Sequence, residues 1–157
     1  MVAKELDLDQ FAKAIGVETE PSAWLGIDQD RVNQFADATN DHQYIHVDAE
    51  RAAASPFGGT IAHGFLTISL VVDLLAEHML VPAGTETTIN YGSDKVRFLT
   101  PVRVGQRIRA RQEITEVSEK RPGQWLVNRN VVVEIEGGDK PALIAEILLL
   151  HIVGDDM

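Results

Sequence analysis

The 157-residue chain contains no cysteine, which excludes disulfides, thiolate metal sites and a thiol nucleophile at once. A reducing compartment suits such a chain, and the cytoplasm is its expected location. Positive charge is also scarce, with 14 Lys and Arg against 24 Asp and Glu and a net charge of -10. A nucleic-acid partner would need a dominant basic face to neutralise its phosphates, so none is expected. The opening Met-Val-Ala-Lys-Glu-Leu-Asp-Leu-Asp lacks the apolar stretch and small-residue cleavage pattern of a secretory leader, so no export is expected. Internal repeats and low-complexity tracts are absent too. What remains is an ordinary globular composition, 45 % apolar and 24 % charged, at a length that suits one domain over residues 1–157.

Leu8 to Ile15, closed by Gly16, has the spacing of a short amphipathic helix. Trp24 to Ile27 reads as a strand, and Asp28 then stands where it would cap a helix from Gln29 to Thr39. Asn40 suits a left-handed stop, and Asp48 would cap a further Ala-rich turn reaching Ala54. Over Thr60 to Leu80, the residues Ile61, Phe65, Ile68, Val72, Leu75 and Met79 recur at alternating steps of four and three, with Leu66, Leu70, Val71 and Leu74 on the remaining sides. A helix apolar nearly all round belongs in a core. His63, Asp73, Glu77 and His78 argue against its crossing a membrane.

The rest of the chain alternates as strands do, over Thr87 to Tyr91, Lys95 to Leu99, Arg107 to Val117, Trp125 to Glu136 and Ala142 to Val153. Pro122-Gly123 and Gly137-Gly138-Asp139 would turn the last three into an antiparallel meander, with the apolar run Leu143 to Leu150 as a central strand. Helices first and antiparallel strands after give an α+β domain.

The chemistry concentrates in Thr39-Asn40-Asp41-His42-Gln43-Tyr44-Ile45-His46-Val47-Asp48, followed by Ile61-Ala62-His63-Gly64-Phe65. Asp41 and His46, five apart, would hold one water between a carboxylate and an imidazole, acid/base hardware without a nucleophile. Turn formation and capping are the competing use of such residues. Gly64, at a helix start, offers a free N–H to an anionic oxygen or, alternatively, close packing against a sheet. His42, His46 and His63 raise the question of a metal, but Gln43 stands where a His-Glu-x-x-His site needs its glutamate, so no metal is expected.

Asp41-x4-His46 with Val47-Asp48, Pro56-Phe57-Gly58-Gly59-Thr60-Ile61-Ala62-His63-Gly64-Phe65, Ile89-Asn90-Tyr91-Gly92 and Lys95-Val96-Arg97-Phe98 together resemble the MaoC-like, (R)-specific enoyl-CoA hydratases, in particular their nodulation protein N-like branch. The usual Gly-Asp-x-Asn-Pro-x-His has here Asn40 for its Gly, Gln43 for its Asn and Tyr44 for its Pro, with the dyad intact. The resemblance implies a hot-dog fold, an antiparallel sheet curled round one long helix, and a homodimer. It implies hydration of a trans-2-enoyl-CoA to the (R)-3-hydroxyacyl-CoA, with no metal and no redox cofactor. Asp41 and His46 would be catalytic, Gly64 N–H would polarise the thioester, and His63, Asn90, Tyr91, Lys95 and Arg97 would meet the acyl-CoA. Tyr44 would narrow the acyl pocket. A hot-dog thioesterase and a non-catalytic acyl-thioester binder are the alternatives.

Six basic residues lie between Lys95 and Arg111, against the overall sign. Arg107, Arg109 and Arg111 alternate with Ile108 and Ala110, which makes them a solvated strand face. Lys95 and Arg97 are the candidates for CoA phosphates or for an internal buttress.

Overall fold

The computed structural model describes residues 3–154; residues 1–2 and 155–157 of the expected domain lie outside the described residues. Strand β1 (Lys4–Leu6) leads into helix α1 (Leu8–Lys13), where Asp7 and Gln10 exchange side-chain and backbone bonds in a capping box. Strand β2 is only Leu25–Gly26. Helix α2 (Gln29–Thr39) runs from its Asp28 cap to Asn40, whose φ of 59° ends it as expected. Helix α3 (Tyr44–Val47) is a single turn that the apolar spacing did not indicate, and Asp48 closes it while capping α4 (Ala49–Ala53) through Arg51 N.

The helix expected over 60–80 is shorter and jointed. It begins only at Gly64, as α5 (Gly64–Ser69) and α6 (Val71–Ala76), with bonds from Leu70 N to Leu66 O and Leu74 N to Leu70 O carrying the axis across the joint. Ahead of it the backbone is committed elsewhere: Ala62 N donates to Val102 O, Val104 N donates to Thr60 O, and Ile61 bridges Arg103. Groups paired sideways in this manner cannot also start a helix. Nor is the helix buried all round, since Phe65 is 72 % and Val72 49 % exposed.

Strand β3 (Leu80–Pro82) pairs in parallel with β1. The main sheet adds β4 (Thr85–Phe98), β5 (Arg107–Arg121), β6 (Gln124–Ile135) and β7 (Leu143–Val153), in the order β2-β5-β6-β7-β4 with antiparallel pairs throughout. The meander β5-β6-β7 and the inner position of β7 match expectation. The two strands expected at 87–91 and 95–99 are one. The Asn90-Tyr91-Gly92 turn between them is a bulge, with register shifts between Asn90 and Gly92 and between Asp94 and Arg97, and with Lys95 at φ 49°.

On β5 the residues Ile108, Ala110, Gln112 and Ile114 point inward, while the arginines between them face out. Arg109 stands opposite Glu134 on β6 and donates to it at 2.8 Å, and Arg107 pairs likewise with Glu136. The inner face packs Leu66, Val71, Leu74 and Leu75 of the helix pair, with Val32 of α2, against Ile108, Val131, Val133 and Leu143. Each such aliphatic side chain contributes about 1.5–3 kcal/mol on burial, so the contact of helix with sheet organises the domain.

One inward position on β6 breaks that apolar pattern. The Arg129 guanidinium is fully buried with no carboxylate beside it, and burial holds its pKa down to about 10, which leaves it charged at neutral pH. It donates to Gln112 Oε1 (2.9 Å), Leu80 O (2.7 Å) and His151 Nε2 (3.3 Å). A guanidinium only donates, so the His151 proton sits on Nδ1, which donates to Thr88 Oγ1 at 2.9 Å. No described helix is long and apolar enough to cross a membrane.

Candidate active site

The left-handed turn at Asn40 swings the chain out of α2 and sets Asp41 at the surface. The single turn of α3 then carries His46 back into the interior, with His46 N bonded to Gln43 O at 2.9 Å. Gln29, the first residue of α2, anchors this turn: its Nε2 donates to His46 O at 2.8 Å and its Oε1 accepts from Thr60 Oγ1 at 2.6 Å. A bond from Ile61 N to Ile45 O (2.9 Å) ties α3 to the segment before α5.

That segment decides the protonation of His46. The His46 Nδ1 lies 2.7 Å from Ile61 O, and a carbonyl can only accept, so Nδ1 carries the proton and Nε2 keeps its lone pair. Burial lowers the His46 pKa below its ordinary 6.5, the nearby His63 ring adds to that, and the Ile61 bond and Asp41 oppose it. The net result is a neutral imidazole with a basic nitrogen at neutral pH.

His63 stacks on His46, ring centroids 3.8 Å apart at 25°, and its Nε2 donates to the Asp41 carbonyl at 2.9 Å. The side chains of Asp41, His46 and His63 thus converge, one nitrogen or oxygen of each lying within 4.8 Å of the others. A cavity of about 170 Å³ opens at this point, lined by His46, Phe57, Gly64, Thr67, Phe98 and Pro101 among others. Gly64 is the first residue of α5, where an N–H has no intrahelical acceptor.

His46 and the helix-start Gly64 line this cavity, while Asp41 and His63 approach His46 from outside its lining, and this arrangement agrees with what comparison finds. The MaoC like domain family matches residues 10–136. The chain belongs to that family. It is 47 % identical to the 3-hydroxyacyl-thioester dehydratase Z of Mycobacterium tuberculosis H37Rv, over 90 % of this chain and 93 % of that one. It is 48 % identical to the Nodulation protein N of Rhizobium meliloti, over 90 % of this chain and 88 % of that one. The solved (R)-hydratase of A. caviae, involved in PHA biosynthesis, superposes with a TM-score of 0.69 at 25 % identity, covering 86 % of this chain and 94 % of that one. The curled sheet round α5–α6 is therefore the hot-dog fold of MaoC-like domains.

Not every residue that the MaoC-like resemblance nominated reaches this cavity. Tyr44 is half-buried beneath the Arg51 guanidinium, 4.3 Å from its ring centroid, and lies outside the cavity lining. Lys95, exposed, pairs with Glu146 at 2.5 Å, and Arg97 donates to the neighbouring Val96 carbonyl at 2.8 Å. Asn90 lines a separate trough with Val72 and Ile147, and Tyr91 is exposed on the sheet edge. His42 pairs with Asp37 in solvent.

Gly64 has an ordinary backbone conformation, yet a Cβ there would meet the Phe98 ring at 3.0 Å, so space demands the glycine. Thr67 and Ser69 bond back to His63 O and Phe65 O, as mid-helix hydroxyls do. Gln29 and Phe98 were missed. Gln29 reads as an ordinary first-turn residue, and Phe98 stood at the end of the Lys95-Val96-Arg97-Phe98 motif with no role of its own. As a cation site the trio is poorly shaped: nearly parallel rings do not aim their in-plane lone pairs at one point, and His46 Nδ1 and His63 Nε2 are already spent on carbonyls.

Proposed function

We propose that this MaoC-like chain, residues 1–157 acting as one domain, is an (R)-specific hydratase that adds water across a trans-2-enoyl-CoA to give the (R)-3-hydroxyacyl-CoA, and catalyses the reverse dehydration. The observation that carries this reading is the His46 Nε2 lone pair, left free by the bond from Nδ1 to Ile61 O, on a ring that converges with the Asp41 carboxylate. In the hydration direction, Nε2 takes a proton from a bound water as its oxygen bonds to C3. The C2=C3 electron pair moves toward the thioester, whose oxygen accepts from Gly64 N–H as negative charge grows there. The imidazolium then returns a proton to C2, so water is consumed and the enzyme is unchanged. Asp41 accepts the second hydrogen of the water, orients it and stabilises the transient imidazolium. The (R) outcome and the CoA carrier rest on the more distant kinship, at 31 % identity, with the (R)-specific enoyl-CoA hydratase of Aeromonas caviae, and a thioester substrate on kinship with dehydratase Z.

One turn further along the helix, two apolar hollows of about 350 and 220 Å³ share Val71, Val72, Asn90 and Ile147. They form a trough between α5–α6 and β4–β7 that suits an acyl chain. A second copy of the chain would cover the open edge of β4, where Ile89, Tyr91 and Phe98 are exposed.

The test is turnover of crotonyl-CoA, followed as loss of the enoyl absorbance against release of free thiol. Asp41→Asn and His46→Gln should each remain folded and lose at least about a hundredfold in hydration, the low end for positioned acid/base groups. Thiol release without hydration would mean a thioesterase, and binding without turnover a non-catalytic module. Near-normal hydration by either variant would remove the dyad assignment.

A further inference from the structure

We propose that His63 is a positioning residue, one side chain that ties the two halves of the dyad together and covers one face of His46. This rests on the reading of Asp41 and His46 as the reacting pair. His63 is buried, 3 % exposed, at the residue preceding α5, yet its imidazole makes no capping bond to that helix. It spends Nε2–H on the Asp41 backbone instead, across 22 residues of sequence. That bond pins the main chain of a residue whose carboxylate is otherwise held only by a long 3.4 Å contact from Gln43 N. One face of the ring bears on His46, and Phe35 of α2 packs tilted against it at 5.0 Å, so the ring has no room to swing.

The second nitrogen supplies the independent argument. With the proton on Nε2, Nδ1 is a lone pair, buried with no hydrogen-bond partner. A purely structural histidine would be expected to satisfy both nitrogens. The stacked His63 ring covers one face of the His46 imidazole and keeps water from it. The titratable groups acting on His46 are His63, from the start of α5, and Asp41, from the loop after α2. Gln29, the α2 side chain bonded to the α3 backbone, is uncharged. Burial is the largest cause of the lowered His46 pKa, and the stacked ring supplies part of that burial, so it holds down the pH at which the base is lost.

Two variants divide the roles. His63→Phe keeps a ring on His46 and removes the donor to Asp41, whereas His63→Gln keeps a donor and removes the stacked ring. In His63→Phe, kcat should fall about tenfold or more with KM little changed, because the acid/base pair loses its mutual placement. In His63→Gln, which uncovers that face of His46, the acid limb of the pH–rate profile should move to higher pH, whereas in His63→Phe it should stay where it is. An imidazole NMR titration of the resting protein reads the same shift without turnover, so it stands even if the substrate assignment fails. Absence of hydration in the wild type, with His46 titrating higher in His63→Gln, would defeat the hydratase reading alone. The wild-type spectrum tests the proposal if neither variant folds: His63 must be protonated at Nε2 and His46 at Nδ1. A wild-type His63 carrying its proton on Nδ1 would overturn the proposal. So would an unchanged His46 titration in folded His63→Gln, or a kcat within about twofold of wild type in His63→Phe.

Discussion

Gly64 and Phe98 occupy each other's space: a Cβ on the first residue of α5 would lie 3.0 Å from two carbons of the ring at the end of β4. Both residues line the His46 cavity, so the glycine lets a strand aromatic close over a helix start. Gly64→Ala should displace the ring and cost about 1 kcal/mol, the low end for overpacking, because Phe98 sits at a sheet edge and can yield. Adding Phe98→Ala to that chain should recover part of the loss. Urea unfolding of the four chains in the cycle checks this, and strictly additive effects would show that the two residues do not collide.

His151 should make the fold acid-sensitive. Burial, reinforced by the charge of Arg129, lowers its pKa from 6.5 to about 4. Between those values the unfolded chain takes up a proton that the folded chain refuses, so stability falls as pH drops from 6.5 toward 4 and the effect is complete below 4. The slope from this one group is at most about 1.4 kcal/mol per pH unit. Unfolding free energies measured at pH 7, 6, 5 and 4 should fall more steeply for wild type than for His151→Gln. Parallel curves would exclude His151 as the source.

Assembly should follow from β4. It is a 14-residue strand at the end of the sheet order, bonded on one side only and exposed over nearly its whole length. A long open edge bearing Ile89 and Tyr91 is covered most economically by its own copy about a two-fold axis. Light scattering should give twice the monomer mass for wild type and a lower mass for Ile89→Asp. A monomeric, fully active wild type at assay concentration would rule the dimer out.

Chain-length preference should answer to Val72 and not to Tyr44. Val72 lines both hollows of the acyl trough, whereas the Tyr44 ring is stacked under Arg51. Filling the trough with Val72→Trp should shift preference toward shorter enoyl-CoAs in graded steps, since one methylene in an apolar pocket is worth about 1–3 kcal/mol. Tyr44→Ala should leave the profile as it was. A kinetic series from four to twelve carbons decides, and a change confined to Tyr44→Ala would return the gate to that loop.

Much of this molecule is written in short-range pattern. Asp28 and Asp48 as caps, Asn40 as a left-handed stop, the turns at Gly123 and Gly137, and the alternation of Ile108 and Ala110 with arginines all follow from the conformational preferences of single residues and their near neighbours. The Asp41 and His46 pair was legible for the same reason, being five residues apart in one loop. What the sequence could not determine is whatever depends on two distant segments meeting. The Ile61 carbonyl that assigns the His46 proton is 15 residues away, and nothing local distinguishes that carbonyl from any other. Strand β4 reads as two strands because its bulges interrupt the alternation, and only ten paired positions on β7 make it one. Arg129 occupies a core position that composition would assign to the surface, and it is tolerated there because Gln112, Leu80 and His151 arrive from three other elements with acceptors. Local propensity decided where the chain turns, and long-range hydrogen bonding decided which nitrogen of His46 carries the proton.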